Sequence, residues 1–215
     1  MKRLLLYTVF AITMIIYSGC KKADTTPPLI TLKGDNPYNL TLNTTYNEPG
    51  YTALDNKDGD ITSKVRISWA PALNQNLTGK YVCTYVVNDA AGNMDTARRT
   101  VNVVNTAGFL GGDYLNVTGA CFNTGPLSFN SRIDVSTITN DILTIVNFGG
   151  FGVPLNANYY LVGDSISIPS GQSLGGTKSL VWSSVSISTD PTALNINYKW
   201  TDGHNTDSCY STYSR

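Results

Sequence analysis

From Leu29 to the C-terminus the chain alternates apolar and polar residues in short runs, each ended by turn formers. Leu29, Thr31 and Lys33 face one side and Ile30 and Leu32 the other, before Gly34-Asp35-Asn36-Pro37 breaks the run. Leu40-Thr41-Leu42, Val65–Trp69, Gly79–Asn88 and Arg99–Val104 continue in the same style. A second series covers Tyr114–Val117, Ser128–Val135, Ile142–Phe148, Asn156–Val162, Ser165–Ile168, Ser179–Ile187, Leu194–Trp200 and Cys209–Tyr213. Within it Leu194, Ile196, Tyr198 and Trp200 alternate with Asn195, Asn197 and Lys199, giving one buried and one wet face. Ile142–Phe148 is apolar on both sides and reads as central. A period of two throughout predicts an all-β protein. The second series predicts a small antiparallel β-barrel, closed or nearly so, or a sandwich.

One stretch breaks the period. Leu4 to Tyr17 is continuously apolar behind Lys2 and Arg3, too short to span a bilayer, and ends in the small residues Ser18-Gly19. It reads as a signal peptide over residues 1–19. With Cys20 directly after Ser18-Gly19 it resembles a bacterial lipoprotein signal, although Tyr17 replaces the usual Leu. The resemblance implies lipidation of Cys20, attachment to a membrane through that lipid, and a place in the bacterial cell envelope, at the outer membrane. Residues 20–26 form a polar tether stiffened by Pro27-Pro28, and Lys21-Lys22-Ala23-Asp24 lacks the acidic cluster of some surface-exported lipoproteins.

The first β-series carries specific motifs: Asp24-Thr25-Thr26-Pro27-Pro28, Pro49-Gly50-Tyr51, Asp55-Asn56-x-Asp58-Gly59-Asp60-Ile61-Thr62, Gly79-x-Tyr81 and Asp89-Ala90-Ala91-Gly92-Asn93. In this order they resemble the bacterial Ig-like domain named after pesticidal crystal proteins. That family implies an N-terminal Ig-like β-sandwich over residues 27–104, used as a spacer or recognition module without catalysis. Tyr81, Cys83 and Tyr85 share one strand face, the expected core. Glycine-rich residues 105–112 read as a linker and 113–215 as a C-terminal antiparallel β-domain. This second domain loosely resembles C-terminal β-domains of other lipoproteins, a likeness that implies no activity.

Charge narrows the function classes. Lys and Arg number 15, as do Asp and Glu; without Lys2 and Arg3 the balance is 13 against 15, so no basic field exists to hold nucleic acid. Of 4 cysteines, Cys20 belongs to the signal, leaving Cys83, Cys121 and Cys209 in a disulfide-permissive compartment. If the barrel closes first strand to last, Cys121 and Cys209 become neighbours, and a disulfide there contributes about 2–4 kcal/mol.

Gly171-Gln172-Ser173-Leu174-Gly175 matches a nucleophile elbow, with Asp190 or Asp202 and then His204 in triad order. An elbow needs a helix after the serine, whereas residues 176–188 read as strand, so the stretch is a glycine-rich turn. His204 is the only His and Glu48 the only Glu, too few for a zinc site or a glutamate-based glycosidase. No cofactor is expected. The acidic loop Asp55, Asn56, Asp58 and Asp60 is a candidate calcium site, with Asp89 and Asn93 as added ligands, although Asx turns explain the same residues. Tyr159, Tyr160, Trp182 and Tyr210 are candidate ligand-contact aromatics, competing with a packing role. The expectation is a non-catalytic, lipid-anchored binding or adhesion module, with the Ig-like domain as spacer and the C-terminal domain recognising a glycan or protein. A hydrolase with an Asp-based site in the C-terminal domain, or a purely structural envelope component, are the alternatives.

Overall fold

A computed structural model of the chain describes residues 22–160, 165–187 and 193–215. The signal segment 1–19, Cys20, the end of the expected strand Asn156–Val162 and Asp190 lie outside the described residues. In chain order the strands are β1 (Leu29–Leu32), β2 (Tyr38–Thr41), β3 (Tyr51–Asp55), β4 (Gly59–Asp60), β5 (Arg66–Trp69), β6 (Gly79–Asn88) and β7 (Met94–Val104). The C-terminal set is β8 (Gly112–Cys121), β9 (Gly125–Val135), β10 (Ile142–Val146), β11 (Leu155–Tyr160), β12 (Ser165–Ser167), β13 (Ser173–Gly175), β14 (Lys178–Ile187), β15 (Leu194–Thr201) and β16 (Thr206–Tyr213). Three short 3₁₀ turns are the only helical elements among the described residues, so the all-β class holds.

The residues gather into two compact units, one of residues up to Lys33, Pro49–Ser68 and Thr84–Arg98, the other of Gly34–Glu48, Trp69–Cys83 and Arg99–Arg215. The first unit holds the sheet β1-β3-β4. Its buried side chains include Ile30, Ala53, Ile61, Tyr85 and Val87, with the Tyr51 and Tyr85 rings 5.2 Å apart. Asp95 anchors its edge, accepting from the Ile30 amide at 2.7 Å.

A four-stranded sheet has the order β2-β7-β6-β5, β2 running parallel to β7 with Tyr38 opposite Val101. Tyr81, Cys83 and Tyr85 occupy the buried face of β6 because alternate residues of a strand share a side, and Cys83 is a buried thiol outside any disulfide. Leu40, Leu42, Tyr81, Val101 and Val103 form a core with Tyr46 and Trp69 edge-on at its margin. Arg99 is fully buried and holds its charge by donating to Glu48 at 3.2 Å and to the Asp35 carbonyl.

Residues 105–112, glycine-rich in sequence, lie inside the second unit and are packed. Thr106–Leu110 is a 3₁₀ turn capped by the Asn105 side chain, and Ala107 and Leu110 belong to the barrel core. The turn after β9 is hydrogen-bonded to earlier segments of the same unit: Thr78 N donates to Thr137 O at 2.8 Å, and Asn43 accepts from Asn140 N at 2.8 Å.

The C-terminal strands form one antiparallel sheet in the order β12-β11-β10-β9-β8-β16-β15-β14-β13. First and last strands meet where β8 pairs β16, with Cys121 opposite Cys209, and these two are joined by a disulfide. The free ends of the sheet then curl together. Gln172 closes them with its side chain: its Oε1 accepts from Asn156 N at 2.8 Å and its Nε2 donates to Asn156 O at 2.9 Å, imitating a ladder step against β11. Ser183 on β14 adds a bond to Ile168 O at 3.2 Å. Inward residues of every strand fill one core that includes Tyr114, Ile133, Leu143, Phe148, Tyr198 and Tyr213. Phe148 enters from a turn that only glycine permits at position 149, where φ is +57° and a Cβ would sit 2.7 Å from the Tyr198 hydroxyl.

Candidate functional site

Two features of β14 and β16 assemble a surface on the barrel's outer face. The β14–β15 register jumps from Leu180 opposite Trp200 to Trp182 opposite Lys199, so Val181 is an extra, bulged residue. Simple alternation would place Trp182 on the same inward side as Leu180. The bulge shifts the phase, and Trp182 emerges beside outward Lys199, followed by outward Ser184. On β16, Cys209 and Ser211 point inward and Tyr210 therefore points out.

The register then lays Ser184, Asn197, Tyr210 and Ala120 in one row across β14, β15, β16 and β8. Phe122 stands at the end of the neighbouring row, its amide donating to Ser208 O at 2.9 Å. Together these side chains line an open groove of about 540 Å³. Phe122, Trp182 and Tyr210 are 89%, 44% and 54% exposed around the short polar side chains of Ser184, Asn197 and Ser208. No Asp, Glu, Lys, Arg or His lines it. Its chemistry is therefore three aromatic faces, one of them bearing a phenol hydroxyl, plus one amide and two serine hydroxyls: apolar stacking together with neutral hydrogen bonding.

Directly beneath, Asp207 fixes the groove's rim. Its buried carboxylate accepts from the amides of Asn123, Thr124 and Ser208 and from the Thr124 hydroxyl, at 2.8–3.1 Å. Burial, the largest single influence, raises its pKa, but these donors together outweigh it and hold the carboxyl below the usual aspartate value. Asp207 also stands close to Cys121 and Cys209. With the sulfurs joined and the carboxylate saturated, that trio is a structural knot and not a metal site.

The other candidate residues separate. Tyr159 is 4% exposed inside the barrel, edge-on to Phe109 at 5.5 Å, and so packs instead of meeting ligand. Tyr160 is 51% exposed but stands on β11, away from the groove-lining strands. Ser173 lies on the short strand β13 with no helix behind it, and its hydroxyl accepts from Gly175 N at 3.2 Å, so the elbow motif has no elbow geometry. His204 sits in a turn whose backbone is held by Asp202, which accepts from His204 N at 2.9 Å and Asn205 N at 2.6 Å. A second groove of about 410 Å³ is lined by Asp113, Leu115, Asn130 and Arg132 among others, and contains one carboxylate, not the pair that glycosidase chemistry needs.

In the acidic loop the three expected carboxylates Asp55, Asp58 and Asp60 do not form a cluster. Asp58 Oδ2 accepts from Ala90 N at 2.6 Å and is 3.7 Å from Lys64 Nζ; Asp60 Oδ1 accepts from Thr62 N at 2.9 Å. The residues brought together are Asp24, Asp55 and Asp89, each offering an oxygen within 4.8 Å of the others.

Residues 30–103 match the family model described as "Bacterial surface protein, Ig-like domain". The resemblance read from the motifs of residues 24–104 stands at that level, as a bacterial surface Ig-like domain. No curated protein matches the chain. Among solved structures it is similar to the lipoprotein BT2262 from Bacteroides thetaiotaomicron, at 19% identity and TM-score 0.40, over 87% of this chain and all of that one. It is also similar to a structure of CBM51-2 in complex with GlcNAc and INT domains from Clostridium perfringens ZmpB, at 17% identity and TM-score 0.31, over 87% of this chain and 44% of that one. No helix of the described residues is long and apolar enough to cross a membrane.

Proposed function

We propose that this chain is a non-catalytic, lipid-anchored protein of the bacterial outer membrane, in which the Ig-like domain, of the pesticidal-crystal-protein type on its motifs, is a spacer and the barrel recognises carbohydrate through the Phe122–Trp182–Tyr210 groove. The observation that carries this reading is the groove's composition. Three exposed rings around an amide and two serine hydroxyls, with no charged side chain, suit a neutral ligand with apolar C–H faces and many hydroxyls, which describes a pyranose. Most of the groove floor offers no unpaired strand edge for backbone recognition of a peptide, since β8, β15 and β16 are each paired on both sides. Against the hydrolase alternative, the groove lining holds no carboxylate to act as acid, base or nucleophile.

The test is a glycan array probed with residues 22–215 and with the Trp182→Ala/Tyr210→Ala variant. Retention of neutral glycans by the parent and their loss in the folded double variant is the expected result. Retention by both, or hydrolysis of a bound glycan, overturns the reading.

A further inference from the structure

We propose that Asp24, Asp55 and Asp89 form a calcium site in the first unit, fastening the segment that precedes β1 to the ends of β3 and β6. The three residues are far apart in sequence, yet each presents a carboxylate oxygen within 4.8 Å of the other two. Hydrogen bonds account for much of this chemistry but not all of it. Asp89 is buried and its two oxygens accept from Asn93 N and Asn93 Nδ2, both at 2.7 Å. Asp24 Oδ1 accepts from Thr26 N at 3.1 Å. Asp55 Oδ1 accepts from Lys57 N at 2.8 Å and Asp58 N at 2.7 Å.

Asp55 Oδ2 is different: it is enclosed from solvent and has no hydrogen-bond partner. The Asp55 side chain is buried against the other two carboxylates. A buried, partnerless carboxylate oxygen facing two more carboxylates is costly unless a proton or a cation sits among them. The Lys57 and Asp58 amides both donate to the other Asp55 oxygen, the arrangement an ionised carboxylate takes. The remaining solution is a cation. Every offered ligand is a hard carboxylate oxygen. Oxygen-only ligation from irregular segments suits calcium, which accepts variable geometry, better than magnesium, which demands an octahedron.

The consequence concerns the tether. Asp24 is the fourth residue after Cys20, so an ion here would fix the chain to the domain close to the anchoring cysteine. Calcium would set how many residues separate that cysteine from the first fixed point of the domain.

The experiment is calorimetric titration of CaCl₂ into chelator-treated protein of residues 22–215, with parallel melts and with MgCl₂ as a separate arm. The expected result is one calcium per chain with Kd of about 10⁻⁴ to 10⁻³ M, as for extracellular modules. Tm should rise by roughly 5 °C at tenfold excess over Kd. Asp24→Asn, which alters a partly exposed side chain, and Asp55→Asn should both abolish uptake while circular dichroism stays that of the parent. Absence of uptake at millimolar calcium, or uptake unchanged in the two folded variants, would overturn the site. Equal binding of magnesium would overturn the assignment to calcium.

Discussion

Replacing Cys121 and Cys209 together by Ala should weaken the barrel by an amount the topology sets. The disulfide joins the first and last strands of the barrel across a sequence separation of 88 residues. In the chain-entropy account, a loop of that length restricts the unfolded chain by about 4.6 kcal/mol at 25 °C, of which real disulfides deliver about 2–4. The two sulfurs are nearly buried, but the alanines that replace them leave space only for small voids, so the cross-link dominates. We expect a loss of about 3 kcal/mol and, for a unit of this size, a fall in Tm of roughly 6–12 °C. The assay is urea unfolding followed by fluorescence of Trp182 and Trp200, both of which lie in the barrel. The double variant should match the dithiothreitol-reduced parent, and its m value should rise because the uncrosslinked unfolded chain exposes more surface. A midpoint within about 1 kcal/mol of the oxidised parent would refute the reasoning, since it would mean that the β8–β16 ladder and the Gln172 closure suffice.

Other consequences follow from single residues. Asp207, with its lowered pKa, should contribute stability fully above about pH 4, its unfolded range, and lose it as pH falls through the lower folded value. Asp207→Ala should cost about 2–4 kcal/mol at pH 7 by stranding buried donors, and should flatten the acid limb of a stability–pH curve; an unaltered acid limb would show that another carboxylate controls it. Deleting Val181 should remove the bulge yet keep Leu180 opposite Trp200 and Trp182 opposite Lys199, so Trp182 stays outward with emission and quenching like the parent's; a blue-shifted, quencher-protected emission would show that Val181 is not the extra residue. Gly119→Ala would place a Cβ 2.0 Å from the Tyr210 carbonyl and should separate β8 from β16 next to the disulfide, lowering Tm by at least as much as a typical core defect; a melt equal to the parent's would contradict the close approach.

How far the sequence reveals this molecule depends on the range of the interaction concerned. Alternation marks the main barrel strands because inward and outward residues differ chemically along each of them. It misses β13, whose three residues Ser173–Gly175 are too short to show a period. Parity alone separates Tyr159 from Tyr160: Leu155, Ala157 and Tyr159 share the inward side, and Tyr160 falls outside. Parity likewise points Phe122 outward once Cys121 is committed inward, a signal present in the sequence alone. Trp182 is where parity misleads, because a bulge changes phase without changing composition. The acidic cluster fails for another reason. Spacing within residues 55–60 suggested a local loop site, whereas the oxygens that meet come from Asp24, Asp55 and Asp89, brought together by the fold. Residues 105–112 show the same limit, as glycine content marks the flexibility of an isolated chain while Ala107 and Leu110 are anchored by the core they enter.

The account rests on the groove, and the most direct measurement is the Kd of a glycan retained on the array, determined by calorimetry for the parent, Trp182→Ala and Tyr160→Ala. Trp182 lines the groove and Tyr160 does not, although both are about half exposed. The account predicts that Trp182→Ala weakens binding at least tenfold, the loss of about 1.4 kcal/mol or more expected of a central aromatic contact, while Tyr160→Ala leaves Kd unchanged. An unchanged Kd in folded Trp182→Ala, or an equal loss in Tyr160→Ala, would contradict it.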